Sequence, residues 1–221
     1  MDKAEKNQLQ TYRVLLSGGE GEIVEKKSRF IATVRKVESE EEAVAFIEEM
    51  KKKYWDARHN CSAFVIGSRA ELTRCSDDGE PSGTAGRPML EVLLGEEIRN
   101  IAVVVTRYFG GVLLGTGGLV RAYTQAVKAG LANCSTGSMV HGYDILLNTD
   151  YNSIGKVLYL LGQYGLEPVD SDYGVDVTLQ IRLAADAAER LKKELTEATS
   201  GRISFEVLDE LYFVDKDKRK E

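Results

Sequence analysis

At 221 residues and 24.4 kDa, the chain is long enough for one large domain or two small ones, each with a core of its own. A composition of 43% hydrophobic and 29% charged residues excludes general disorder, and the longest apolar run, Ile101–Val105, falls far short of the roughly 20 residues a membrane helix needs. The net charge of −6 is unevenly spread: residues 1–141 carry 19 basic and 19 acidic side chains, so the whole excess lies in 142–221.

The first residues show no apolar stretch ahead of a small-residue cleavage site, so no leader is expected. Ser17-Gly18-Gly19-Glu20-Gly21 reads as a turn, followed by strands over 21–27 and 29–37. Ser39 followed by Glu40-Glu41-Glu42 is a capping box. The helix it opens repeats Ala43, Phe46, Ile47, Met50 and Tyr54 at helical spacing and ends in Lys51-Lys52-Lys53, cations suited to its negative end. His59–Ile66 predicts a strand. A helix follows the Ser82–Pro88 turn, with Pro88 in its first turn, and stops near Gly95. Ile101–Val105 is apolar on both faces, hence a buried strand. Thr116 is placed to cap a helix bearing Leu119, Val120, Tyr123, Ala126, Val127 and Leu131. Strands first, then helices over one face, predict an α+β domain.

The pattern changes where the charge does, near 137–142, and the chain is divided into domains 1–138 and 139–221. In the second, a strand over 143–149 leads to Asp150, placed to cap a helix with Ile154, Val157, Leu158 and Leu161 on one face and Gly165 beyond its end. A short strand over 166–170, an alternating strand over 175–183, a helix over 186–198 and a strand over 203–208 complete a βαββαβ order, the ferredoxin-like arrangement. The closing DKDKRKE reads as a frayed tail.

Two segments carry more chemistry than a scaffold needs. Cys75–Pro88 places Asp77, Asp78 and Glu80 in a turn with Ser82, Thr84, three glycines and two prolines. The carboxylates could hold Mg²⁺, although the spacing is no EF-hand, and a turn stabilised by its Asp and Ser side chains is the plainer reading. The second segment, Thr106–Arg121, sets Gly110, Gly111, Gly115, Gly117 and Gly118 between a buried strand and a helix start, where free N–H groups suit an anion. It matches neither a phosphate loop, for want of the Lys-Ser/Thr ending, nor the dinucleotide fingerprint, because Val120 stands where glycine is required. The glycines equally serve close packing of helix on sheet.

No acidic residue occurs from Ile98 to Tyr143, a stretch that carries Arg99, Arg107, Arg121 and Lys128. Arg121, Gln125 and Lys128 share one helix stripe away from the apolar face. An anionic partner such as RNA fits this segment; a tightly packed β-α unit is the alternative, and Arg107, which follows a buried strand, could instead be the ion-pair partner of an acidic-loop residue such as Asp78. Conventional catalysis is poorly served. His59 and His141 lie far apart, and His59 with Cys61 lacks a second ligand pair for zinc. His59, Cys61 and Ala63 share one strand face, which favours a hydrogen-bonded structural histidine over a Cys–His nucleophile. The three cysteines, without a CxxC, read as reduced cytosolic thiols.

His59-Asn-Cys-Ser-Ala-Phe64, Ser76-Asp-Asp-Gly-Glu-Pro-Ser-Gly-Thr-Ala-Gly86 and Arg107-Tyr-Phe-Gly-Gly-Val-Leu-Leu-Gly115 together resemble the IMPACT family, in its bacterial two-domain, YigZ-like branch. The resemblance runs through most of 15–130 and extends to a small second domain. It implies a first domain like domain 2 of ribosomal protein S5 and a second like one in translation elongation factors. Eukaryotic members carry an extra amino-terminal domain and restrain an amino-acid-starvation kinase, a role not expected to transfer to this chain. What the resemblance implies is a translation-linked protein that binds RNA or the ribosome. It offers no catalytic residue to carry over.

Two hypotheses follow. The favoured one is a non-catalytic cytoplasmic protein that holds RNA or ribosome at Arg107, Gly110, Gly111, Gly115, Gly117, Gly118, Arg121 and Lys128, without DNA sequence readout, membrane attachment, metal or cofactor. The rival is a small Mg²⁺-dependent hydrolase or phosphotransferase built on Asp77, Asp78, Glu80, Ser82 and Thr84 with the glycine loop.

Overall fold

The computed structural model describes residues 11–215, which fall into two compact units, 12–138 and 139–215. The expected frayed tail lies, from 216 onward, outside the described residues.

The first unit contains β1 (Tyr12–Ser17), β2 (Gly19–Glu25), β3 (Ser28–Lys36), α1 (Glu40–Lys53), β4 (His59–Ile66), β5 (Leu72–Ser76), α2 (Gly86–Gly95), β6 (Ile98–Arg99), β7 (Ile101–Tyr108) and α3 (Thr116–Ala132). Its main sheet runs β2-β3-β7-β4-β5, every neighbouring pair antiparallel, while β1 and β6 pair in parallel. Taken without β1, α1, β5 and β6, the order is three strands, helix, strand, helix. That is the α+β unit of ribosomal protein S5 domain 2 type.

The expectation that helices cover one face of this sheet is corrected. Ile101, Val103 and Val105 of β7 pack with α2 and α3, whereas Ala102 and Val104 pack with Ala43, Phe46 and Met50 of α1 on the other side. The reason is in the strands themselves. β4 and β7 are apolar at consecutive rather than alternate positions, so both faces need cover. Ser39 caps α1 as expected, its hydroxyl accepting the Glu42 N–H at 3.2 Å; Glu42 in turn accepts from the Glu38 N–H, one residue short of a closed capping box. At α3, Gly115 with φ +73° is the cap residue and Thr116 is the first helical residue, so Thr116 does not cap.

Chain passes to the second unit within β8 (Ser135–Thr149), followed by α4 (Ile154–Gln163), β9 (Asp170–Tyr173), β10 (Val177–Ala184), α5 (Ala185–Ala198) and β11 (Ile203–Asp215). The strand order β9-β10-β8-β11, with two helices, is ferredoxin-like. Val177, Leu179, Ile181 and Leu183 alternate inward onto Val157, Leu161, Leu191 and Leu195, which gives this unit a core of its own. Asp150 closes the turn ahead of α4 by accepting the Ser153 N–H at 2.7 Å, and Gly165 with φ +68° follows the helix.

We propose that residues 139–215 fold autonomously, since one complete two-layer core lies within them. The fragment, expressed alone, is expected to melt in a single cooperative transition; a broad, non-cooperative thermal profile would show that its core depends on the rest of the chain.

Candidate functional site

The β5–α2 loop is held by its own carboxylates. Asp77 accepts the Gly83 N–H at 2.9 Å on one oxygen and the Ala85 and Gly86 N–H groups at 3.0 and 2.8 Å on the other, filling the N-terminus of α2. Partial burial works to raise its pKa, but the three backbone bonds outweigh it and hold the carboxyl below its usual value. Gly86 is required there, because a Cβ would come within 2.8 Å of the Ser76 backbone. Asp78 accepts the Asn60 N–H at 2.7 Å, and its carbonyl lies 2.8 Å from Nδ1 of His59. Thr84 is buried and donates to the Pro81 carbonyl at 2.7 Å, while Ser82 is exposed.

Glu80 turns inward. Its side chain is 3% exposed and its Oε1 receives the Arg107 guanidinium at 2.5 Å and the Tyr123 hydroxyl at 2.8 Å. Cys61 completes the cluster, its Sγ 3.0 Å from the Asp77 carbonyl and 3.3 Å from the Tyr123 oxygen. Burial pushes the Cys61 thiol up to about 12 and raises the Tyr123 phenol as well, so neither ionises near neutrality. A thiol held this way is the opposite of an activated nucleophile. His59 bonds to a backbone carbonyl and not to Cys61, as the structural reading of that histidine expects.

The glycine-rich segment lies between β7 and α3. A Cβ at Gly110 would overlap the backbone of Lys27, and the Gly110 N–H donates to Ser28 Oγ at 3.1 Å. Gly111 and Gly115 have φ of +84° and +73°. No side chain caps α3 and its first turn holds no carboxylate. A Cβ at Gly117 would lie 4.0 Å from an Arg121 Nη, which places that guanidinium beside the open helix start.

Arg107 must be removed from the surface site. It is 7% exposed at the side chain and spent on Glu80, with Phe30 and Phe109 rings 5.4 and 5.6 Å from its guanidinium carbon. Its position explains this: successive side chains of β7 point to opposite faces of the sheet, and Arg107 shares with Val103 and Val105 the face that α2 and α3 cover. Lys128 is exposed but stands twelve residues after Thr116, about 18 Å along the helix. It lines a groove with Glu91 and Glu96, apart from the glycine loop. Arg121 and the five glycines remain together. The rival's Mg²⁺ site fails on geometry: Asp77, Asp78 and Glu80 each serve a different partner, and among the described residues no cluster of three His, Cys, Asp or Glu side chains is placed to hold a metal.

Sequence reasoning missed the residues that the fold brings beside this loop. Lys26 and Lys27 form the β2–β3 turn, with φ of +45° and +68°. Trp55 and Arg58 lie in the α1–β4 loop, tied to the end of β7 where the Tyr108 hydroxyl donates to Asp56 at 2.9 Å. Only a strand-register argument from 21–37 and 101–108 would have found them.

A two-unit α+β protein, an S5 domain 2-type unit followed by a ferredoxin-like one, is therefore the class defined by fold and site. The Impact N-terminal domain family matches residues 26–131, and a domain of unknown function, DUF1949, matches 147–202. The IMPACT family member YvyE of Bacillus subtilis is 39% identical over 88% of this chain and 89% of its own length. YigZ of Escherichia coli, also named as an IMPACT family member, is 37% identical over 84% and 92%. A crystal structure described as a hypothetical protein superposes with a TM-score of 0.57 at 34% identity, covering 91% of this chain and 98% of that one. A Saccharomyces cerevisiae protein named as an IMPACT homolog is 38% identical over 42% of this chain and 37% of its own. The chain belongs to the IMPACT family.

Two substitutions test the loop architecture. Glu80→Gln leaves Arg107 buried without its carboxylate and is expected to cost about 3–5 kcal/mol in urea unfolding. An unchanged midpoint would show the pair to be idle. Asp77→Asn is expected to cost about 1 kcal/mol at neutral pH. Because the folded pKa is depressed, this stabilisation is full above the unfolded value of about 3.9 and is lost as pH falls through the folded one. The gap between wild type and variant should thus narrow on acidification, and a gap that widens contradicts the assignment.

Proposed function

We propose that this protein is a non-catalytic, translation-linked cytoplasmic protein that binds RNA or the ribosome, with the β7–α3 loop and the start of α3 as its contact. The observation that carries this is a contrast between two helix starts in one unit. Asp77 fills the N-terminus of α2, whereas that of α3 is left open, glycine-rich and flanked by Arg121. An open helix start beside a guanidinium suits phosphate oxygens, and no acidic residue follows until Asp144 to repel them. Membership of the IMPACT family supports the link to translation. Among the described residues no helix is long and apolar enough to cross a membrane.

Phosphate binding of this kind releases counterions, so association weakens as salt rises. In co-sedimentation with ribosomes or ribosomal RNA at two salt concentrations, Arg121→Ala is expected to reduce the magnitude of the salt slope by about 0.7–0.9. Lys128→Ala, displaced along α3, is expected to leave it unchanged. Absence of any salt-sensitive association by the wild type would refute the proposal.

A further inference from the structure

The antiparallel register collects several loops at one end of the first unit's sheet. Arg29 pairs with Tyr108 and His59 with Arg107, so the β2–β3 turn, the start of β4 and the end of β7 are neighbours there. The turn is locked to the glycine loop by the Gly110 contact with the Lys27 backbone and the Gly110–Ser28 bond. The α1–β4 loop is locked to β7 by the Tyr108–Asp56 bond. Tyr108 is thus one residue from Phe109, and Asp56 one residue from Trp55.

Those two rings are unusually open. Trp55 is 82% exposed and Phe109 42%, whereas Tyr54 and Tyr108 are half-buried and Phe30 and Tyr123 fully buried. Beneath Phe109 lies the Arg107 guanidinium, which leaves the opposite ring face for something else.

The cations around the rings are mostly unpaired. Lys26, Lys27, Arg58 and Arg121 are exposed, and none pairs with a described carboxylate. The local carboxylates are occupied: Glu22 by Arg29, Asp56 by Tyr108, Asp77 by backbone N–H groups, Asp78 by Asn60 and, at 3.6 Å, Lys51, and Glu80 by Arg107. Glu25 on β2 and Asp56, whose charge a neutral hydroxyl does not cancel, are the exposed acidic exceptions. Lys26 and Lys27 also hold positive φ in a two-residue hairpin turn, where Asn-Gly is the favoured pair. Lysine stands at both positions against backbone preference.

Open aromatic faces among unpaired cations are the chemistry of single-stranded nucleic acid recognition. Bases stack on the rings without regard to sequence, and the cations track the phosphates. A duplex offers stacked, inaccessible base faces and would leave Trp55 and Phe109 unused. Resting on the RNA-binding reading above, we propose that this sheet end is a platform for an unpaired RNA strand, with bases on Trp55 and Phe109 and phosphates at Lys26, Lys27, Arg58 and the start of α3.

The chain has a single tryptophan, so its intrinsic fluorescence reports on Trp55 alone. The full-length protein is titrated with a short oligouridylate, an RNA duplex of equal length, and anionic phospholipid vesicles. Expected is saturable quenching by the single strand and little by the duplex. The double variant Lys26→Gln, Lys27→Gln, both positions being solvent-exposed, should reduce the salt slope by about 1.4, or roughly 0.7 per charge. Phe109→Ala, with a melting temperature compared against wild type, should weaken binding about tenfold. In Trp55→Ala a labelled oligouridylate followed by anisotropy should also bind about tenfold more weakly, and Trp55→Phe should restore most of the loss.

Oligouridylate binding without quenching, and unaltered in the double lysine variant, overturns the platform but leaves the RNA-binding reading intact. Ribosome association with no affinity for oligouridylate does the same. Failure to associate with ribosome, ribosomal RNA and oligouridylate alike sinks both. Fluorescence changes with vesicles and none with RNA make the surface a membrane contact, against the proposal.

Discussion

One end of the first unit's sheet is organised by one buried ion pair. Glu80 and Arg107 come from a loop and a strand 27 residues apart, and Tyr123 joins them from α3. A buried carboxylate without compensation is costly, and here a guanidinium and a phenolic hydroxyl both reach the same oxygen. Replacement of such pairs by apolar groups is often neutral in free energy, so net stability is not what distinguishes this one. Position is. Through Glu80 the acidic loop is anchored to β7, through Tyr123 to α3, and through the Arg107 guanidinium to the underside of Phe109.

With that anchor in place, the two motif-bearing loops take opposite roles. In the acidic loop the three carboxylates are internally satisfied, by the start of α2, the β4 backbone and Arg107, while Pro81, Ser82 and Gly83 face solvent. What looks like a metal-binding sequence is a set of hydrogen-bond acceptors for backbone N–H groups and one guanidinium. The glycine loop faces outward. Leu113 at its tip is 83% exposed, Val112 is exposed as well, and α3 begins without a capping side chain. Acidity seals one helix start; its absence leaves the other available.

Much of the fold was legible because its patterns are local. β4 coincides with the predicted span His59–Ile66, α1 carries its Ser39 cap, and the βαββαβ order of the second unit follows from alternation and helical spacing. β1, β5 and β6 were not anticipated. β1 pairs with β6 across more than eighty residues, and short strands of that kind carry little periodicity of their own. The site was less legible for the same reason. A carboxylate that accepts N–H bonds and one that binds a cation have the same sequence signature. For Arg107 the end of a buried strand pointed to an ion pair with the acidic loop as well as to a surface contact, and the pleat of β7 decides for the pair, with Glu80 rather than Asp78 as its partner. Arg121 is exposed on the outer stripe of α3, as helical spacing alone predicts.

The remaining step concerns how a loop so rich in glycine holds a shape. Gly110 sits where a side chain would collide with the Lys27 backbone, so the loop and the β2–β3 turn approach more closely than any other residue permits. Ser28, fully buried, then accepts the Gly110 N–H that this approach brings within reach. The turn fixes the loop and the loop fixes the turn, and neither contact uses a side chain that solvent can see. The exposed side chains of both, Lys26 and Lys27 on one and Leu113 on the other, are left out of this holding. A surface can be reserved for a partner only when something beneath it does the holding. Here that work falls to a glycine, a serine and one buried ion pair.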